Sequence, residues 1–287
     1  MTVLFAFDPL EPFRYGFFER GLAVATVTGA LCGLVGVFVV LRSMSYIGHG
    51  LSHAVFGGAA ISAVMGTSYF LGAGLWGVLA ALLIGKVSSR GTVGADAAIG
   101  VVTTASFAIG LAIQSRSGAV SRTLDAVLFG NILGVFTRDL VAALVVATAV
   151  TAFIVGYRRE LTFLTFDREV AAISGIPISR LDAALMVALS ATVLVSARVI
   201  GALLISAMLV LPAATVRLVT NSISTMLWVS PALGAACGLV GMYVSWYADV
   251  PSGAMITLIG TTLFAAAWLA SDAARRRAIA SADRHAV

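Results

Sequence analysis

The chain has 287 residues, of which 60% are hydrophobic and only 11% charged, with a net charge of +5 and a mean hydropathy of +1.04. A soluble domain carries roughly 25% charged residues, and less than half of that density cannot coat a water-facing surface. Composition therefore excludes a soluble enzyme, a disordered chain and a nucleic-acid-binding module. Apolar runs of about 20 residues recur, the length at which a helix crosses a bilayer. They are continuous, unlike the alternating strands of a membrane barrel.

The expected fold is all-α, a polytopic transmembrane helix bundle of about nine spans (eight or nine) forming one domain over residues 1–287. Met1 to Glu11 lacks a basic segment before an apolar core and does not read as a secretory signal. The spans are expected near Leu22–Leu41, Ile47–Thr67, Leu71–Val87, Ala97–Ile113, Leu140–Tyr157, Leu181–Ala197, Ile200–Leu218, Met226–Tyr247 and Pro251–Leu269. The close pairs around Thr67–Gly72 and Ser196–Gly201 can be divided differently. Gly29, Gly33 and Gly36 share a face of the first span, and Gly234, Gly238 and Gly241 a face of the eighth. Small residues of this kind let membrane helices approach closely. Cys32 and Cys237 lie singly within apolar runs and read as structural.

With the N-terminus outside and the C-terminus cytoplasmic, twelve of the eighteen basic residues face the cytoplasm, among them Arg42, Lys86, Arg158, Arg168, Arg180 and Arg275–Arg277. Basic residues concentrate in cytoplasmic loops, which favours this orientation. Two stretches are too polar to span. Ser115–Asp139, with Leu128-Phe129-Gly130-Asn131-Ile132-Leu133, reads as an external short helix or re-entrant piece. Residues 158–180 form the longest cytoplasmic loop, in which Asp167 is placed to cap a short helix and Gly175 and Pro177 to stop it. Gly201 and Pro212 mark a kink or gate in the seventh span, since proline removes a helical donor and frees a carbonyl.

His49 and His53 open the second span as His-Gly-Leu-Ser-His. Four residues is only about 40° past one helical turn, so both imidazoles share a face. Ionisable side chains inside a span are costly and mark a site or pathway, and imidazole suits Zn²⁺ and similar metals. Two imidazoles do not complete a tetrahedral site, so another helix or a second copy must contribute. Tyr46 and Ser52 are weak further candidates, while Asp96 and Asp125 read as structural. Zinc proteases place a Glu after the first His as general base; here Gly50 stands there, which argues against an intramembrane metalloprotease. No P-loop is present either, so any ATP hydrolysis belongs to another chain.

Four blocks carry a resemblance to a known family: Leu41 to Ala54 with both histidines; Asp96-Ala97-Ala98-Ile99-Gly100 followed by Leu128 to Leu133; Phe166-Asp167 to Gly175; and Val199 to Leu204 leading to Leu211-Pro212-Ala213-Ala214. In this order they resemble the membrane permeases of bacterial zinc/manganese-type ABC importers, over about Phe17 to Leu269. The resemblance implies a multi-pass permease of the bacterial cytoplasmic (inner) membrane that pairs with a second copy of itself. Its other partners would be two cytoplasmic ATPase subunits, an extracytoplasmic metal-binding protein and membrane lipid, with no nucleic acid. It further implies that His49 and His53 bind the transported ion, with no resident cofactor, and that Asp167, Glu169, Ala171 and Gly175 belong to the segment touching the ATPase. The family commonly has Asp where His49 stands. Manganese prefers carboxylate oxygen and zinc accepts imidazole, so zinc is expected ahead of manganese. Permeases for siderophores or cobalamin are the alternative; they would need a wider cavity and no histidine pair.

Overall fold

Lipid offers no hydrogen bonds to the backbone, so the apolar runs satisfy their own as helices. The computed structural model describes residues 8–89, 94–117, 135–201 and 204–285. Among them lie a 3-10 turn, Glu11–Arg14, and eleven α-helices. These are α1 (Gly16–Leu41), α2 (Ile47–Met65), α3 (Tyr69–Ser89), α4 (Ala95–Ser117), α5 (Thr137–Gly156), α6 (Arg158–Phe166), α7 (Arg168–Ile173), α8 (Ile178–Ile200), α9 (Ile205–Val219), α10 (Ile223–Ala248) and α11 (Ser252–His285). Local chemistry sets several boundaries. The Asp139 carboxylate accepts from the Phe136 N–H at 2.9 Å at the start of α5, and the Ser222 hydroxyl accepts from the Thr225 N–H at 3.4 Å at the start of α10.

Among the described residues, eight helices are long and apolar enough to cross a bilayer. The expected seventh span differs. Helix α8 runs on to Ile200 and ends at Gly201, whose φ of +90° favours glycine. Helix α9 starts at Ile205 and has 15 residues, about 22 Å of rise against roughly 30 Å of hydrocarbon. Pro212 sits buried within it. The expected Leu128–Leu133 segment lies outside the described residues.

The small-residue faces read from the sequence meet one another. A Cβ on Gly29 would lie 2.3 Å from the Gly234 carbonyl oxygen, one on Gly33 2.2 Å from that of Ser230, and one on Gly238 2.2 Å from that of Ala25. Helices α1 and α10 are therefore antiparallel and in backbone contact. The Cys32 thiol lies 3.6 Å from the Ser196 hydroxyl, joining α1 to α8. Helix α2 is enclosed by neighbouring helices: Gly48 meets Leu209 of α9, Gly57 meets Ser106 of α4, and Gly58 meets Gly72 of α3.

Successive helices alternate in direction, so the α1–α2 corner and the α5–α8 connection share one end of the bundle. That end carries Arg42, Lys86, Arg158, Arg168, Arg180 and Arg217 and is called the basic end. The opposite end is aromatic. There Tyr15 and Phe18 each stack 5.4 Å from Trp246, and the Tyr243 and Tyr247 hydroxyls donate to the Pro9 and Asp8 carbonyls at 2.9 and 2.7 Å. Tyr and Trp are enriched where a membrane meets water. The first described residues lie at the aromatic end, and α11 runs from it toward the basic end.

Candidate metal site and coupling segment

The α1–α2 corner delivers Tyr46 directly into α2, so His49 and His53 occupy the first turns of that helix at the basic end. Their rings meet edge to face with centroids 4.4 Å apart. His53 is half-buried and backed by Phe107 of α4, 5.2 Å away and also edge-on, while His49 is exposed. Both line a cavity of about 280 Å³ between α2 and α4, together with Tyr46, Gly50, Asp96, Ile99, Gly100, Thr103, Thr104 and Phe107.

Helix α4 thus supplies what the sequence did not place. Asp96 had read as a structural residue at a span end, yet it lines the same cavity as the histidines. The Thr103 hydroxyl is buried there without a hydrogen-bond partner. Ser52 is turned away: it is 1% exposed, and its hydroxyl donates to the His49 carbonyl at 2.8 Å. Among the described residues no three His, Cys, Asp or Glu side chains converge to hold an ion. The histidine pair and Asp96 line one cavity without converging on a common point. Asp125 lies outside the described residues.

Gly50 now has a physical reason. A Cβ there would lie 2.6 Å from Ile99 Cγ2 and 2.7 Å from Thr103 Oγ1, so α4 approaches α2 too closely for any side chain. The Glu of a zinc protease motif has no room. The enclosure of α2 also bears on the idea that two copies pool their histidines. Along most of its length α2 is covered by its own chain, so a second α2 has no access to it except at the mouth beside His49.

Residues 158–180 hold two short helices, α6 and α7, with the cap and stop that the sequence predicts. Asp167 caps α7, its Oδ1 accepting from the N–H groups of Glu169 at 3.1 Å and Val170 at 2.9 Å. Gly175, at φ +73°, lets the chain leave the helix. Ala171, however, is fully buried and packs inward, so it offers no outer surface. The outward face of α7 is Val170 and Ile173, with Phe166 beside it; Ile173 is 87% exposed.

A network that the sequence did not announce anchors this segment. Arg42, the residue capping α1, donates through Nε to the Thr165 hydroxyl of α6 at 3.2 Å and through Nη1 to Asp182 of α8 at 2.8 Å. Arg168 of α7 pairs with the other oxygen of Asp182. Burial pulls the Arg42 guanidinium below its ordinary pKa, and the Asp182 charge beside it works the other way. The partners lie 140 residues apart in the chain, which no local pattern reveals.

Against known sequences, the profile of the ABC 3 transport family matches residues 14–271. The chain belongs to that family. It is a membrane permease of the zinc/manganese-type ABC importers, a multi-pass protein of the cytoplasmic membrane and a transport subunit, not itself an enzyme. Among its relatives is the manganese transport system membrane protein MntC of Halalkalibacterium halodurans, 38% identical over 270 residues, covering 94% of this chain and 92% of that one. Another is the manganese import system permease protein ScaB of Streptococcus gordonii, 33% identical, covering 87% and 90%. A probable iron transport system membrane protein of Haemophilus influenzae is 31% identical, covering 89% and 94%. Among solved structures, PsaBC from Streptococcus pneumoniae in complex with Fab superposes with a TM-score of 0.80 at 32% identity, covering 91% of this chain and 93% of that one. The family match covers about the stretch, Phe17 to Leu269, over which the sequence resembles these permeases, and leaves the metal open.

Proposed function

We propose that this permease passes a divalent transition metal ion, manganese ahead of zinc, across the membrane into the cytoplasm. The observation that carries the reading is the edge-to-face histidine pair in a cavity it shares with Asp96. Asp96 and Thr103 add oxygen to the lining of the cavity beside the two imidazoles, and oxygen suits manganese better than imidazole does. The names of the relatives point the same way. The cavity of about 280 Å³ falls below the roughly 300–1,000 Å³ that drug-sized ligands occupy, which speaks against a siderophore or cobalamin.

In this reading the basic end faces the cytoplasm, following the distribution of Arg and Lys. The capped α7, with Val170 and Ile173 outward, docks on a separate ATPase subunit, one for each of two permease copies. The aromatic end receives the ion from an extracytoplasmic binding protein. Gly201 ends α8 ahead of α9, Pro212 lies inside α9, and the two supply the joint at which the bundle opens. The test is equilibrium titration of manganese and zinc into the purified permease. Binding is expected in the wild type and lost in His53→Ala; a His53→Ala variant that binds either metal as the wild type does would refute the site.

A further inference from the structure

Asp182 stands between two parts of the molecule that have to communicate. One oxygen holds Arg42 at 2.8 Å, and the other holds Arg168. The two bonds differ in their surroundings. The Arg42 side chain is 8% exposed and Asp182 20%, whereas Arg168 is 56% exposed. Buried pairs are screened far less than exposed ones. The Arg42 half is therefore the durable one, and the Arg168 half the one that water can open.

Each arginine leads to a different functional element. Arg168 is the first residue of α7, next to the capping Asp167. Arg42 closes α1, and Ser43 after it is held at φ +54°, a region that non-glycine residues rarely adopt. From there Met44 and Ser45 lead to Tyr46, which already lines the histidine cavity. Around the triad lies a second cavity of about 580 Å³, lined among others by Ser43, Thr165 and Met186. Ile99 is a wall common to this cavity and to that of the histidines. Arg42 also keeps a buried Nη2 without an acceptor, and an unmet buried donor is costly. The joint thus combines spare room, a non-glycine residue at positive φ and a buried donor without an acceptor.

We propose that Asp182 is a positioning residue that carries movement of the coupling segment to the metal site. Arg42 is its fixed arm toward α2, and Arg168 its releasable arm toward α7. When a partner displaces α7, the Arg168 bond opens first. Asp182 and Arg42 then settle anew, and the Arg42–Tyr46 corner shifts the first turn of α2 against Ile99. This rests on the proposed docking of α7 to an ATPase.

The experiment uses the permease–ATPase complex in proteoliposomes and reads ATP hydrolysed per manganese ion taken up, beside complex assembly and equilibrium manganese binding. Arg168→Gln is expected to raise the ratio roughly two- to fivefold, the change in an equilibrium on losing a partly exposed ion pair, with assembly and binding intact. Arg168→Lys, which keeps the charge, is expected to restore most of the coupling. An unchanged ratio in Arg168→Gln would overturn the proposal, as would equal uncoupling by Gln and Lys or a loss of manganese binding in Arg168→Gln. Failure of the docking reading looks different: the complex would not assemble, or Asp167→Ala would leave the ratio unchanged as well.

Discussion

Gly50→Ala tests the geometry of the metal cavity with a single methyl group. The new Cβ would sit 2.6 Å from Ile99 Cγ2 and 2.7 Å from Thr103 Oγ1. Non-bonded carbons settle at about 3.5–4.0 Å, so roughly 1 Å of extra space is needed. Neither neighbour can swing aside, because both are β-branched and stiff on a helix, and they are only 3% and 9% exposed. The helices themselves have to part, and they are the two walls of the cavity, with the histidines on α2 and Asp96 on α4. Overpacking of this kind costs about 1–3 kcal/mol. If about 1.4 kcal/mol of it opposes the metal-bound arrangement, affinity falls about tenfold. Manganese titration of the purified permease, with thermal unfolding alongside, measures both effects. The expected result is weaker binding and a lower Tm although both histidines remain. Unchanged affinity together with an unchanged Tm would show that α4 does not press on Gly50 and would refute the two-walled site.

Two further outcomes follow from the same packing and capping. Asp167→Ala removes the cap of a six-residue helix, a loss of about 1 kcal/mol; ATP consumed per metal ion is expected to rise while metal titration stays as in the wild type. Gly234→Ala would press a Cβ to within 2.1 Å of the Gly29 carbonyl oxygen and is expected to lower the Tm of the purified permease markedly, whereas Gly156→Ala, with nothing within 4 Å, is expected to leave it unchanged.

Much of this architecture is legible in the sequence because lipid makes local pattern decisive. Apolar length gave the spans, and the facing glycines of α1 and α10 could be read as contact surfaces before their partners were known. His49 and His53 stood out because a four-residue repeat of an ionisable side chain in an apolar run has few structural uses. Asp167 and Gly175 could be placed as cap and stop from local chemistry alone. What escaped was long-range. Asp96 reads as an ordinary span-end carboxylate, and only the packing of α4 on α2 brings it into the lining of the histidine cavity. The Arg42–Asp182–Arg168 triad joins residues with no periodic relation. Ala171 turned inward because a helix of six residues buries one side against the bundle, and its register follows from the tertiary contact rather than from its own sequence. The break at Gly201 was visible as a glycine, but the φ of +90° that ends α8 depends on how the chain must turn to enter α9.

The most direct measurement of the central claim is ATP-dependent manganese uptake into vesicles holding the permease and its ATPase, wild type against His49→Ala/His53→Ala. If the edge-to-face pair is the transport site, the double variant assembles and retains ATP hydrolysis but takes up no manganese above background. Uptake at the wild-type rate by the double variant would contradict the account.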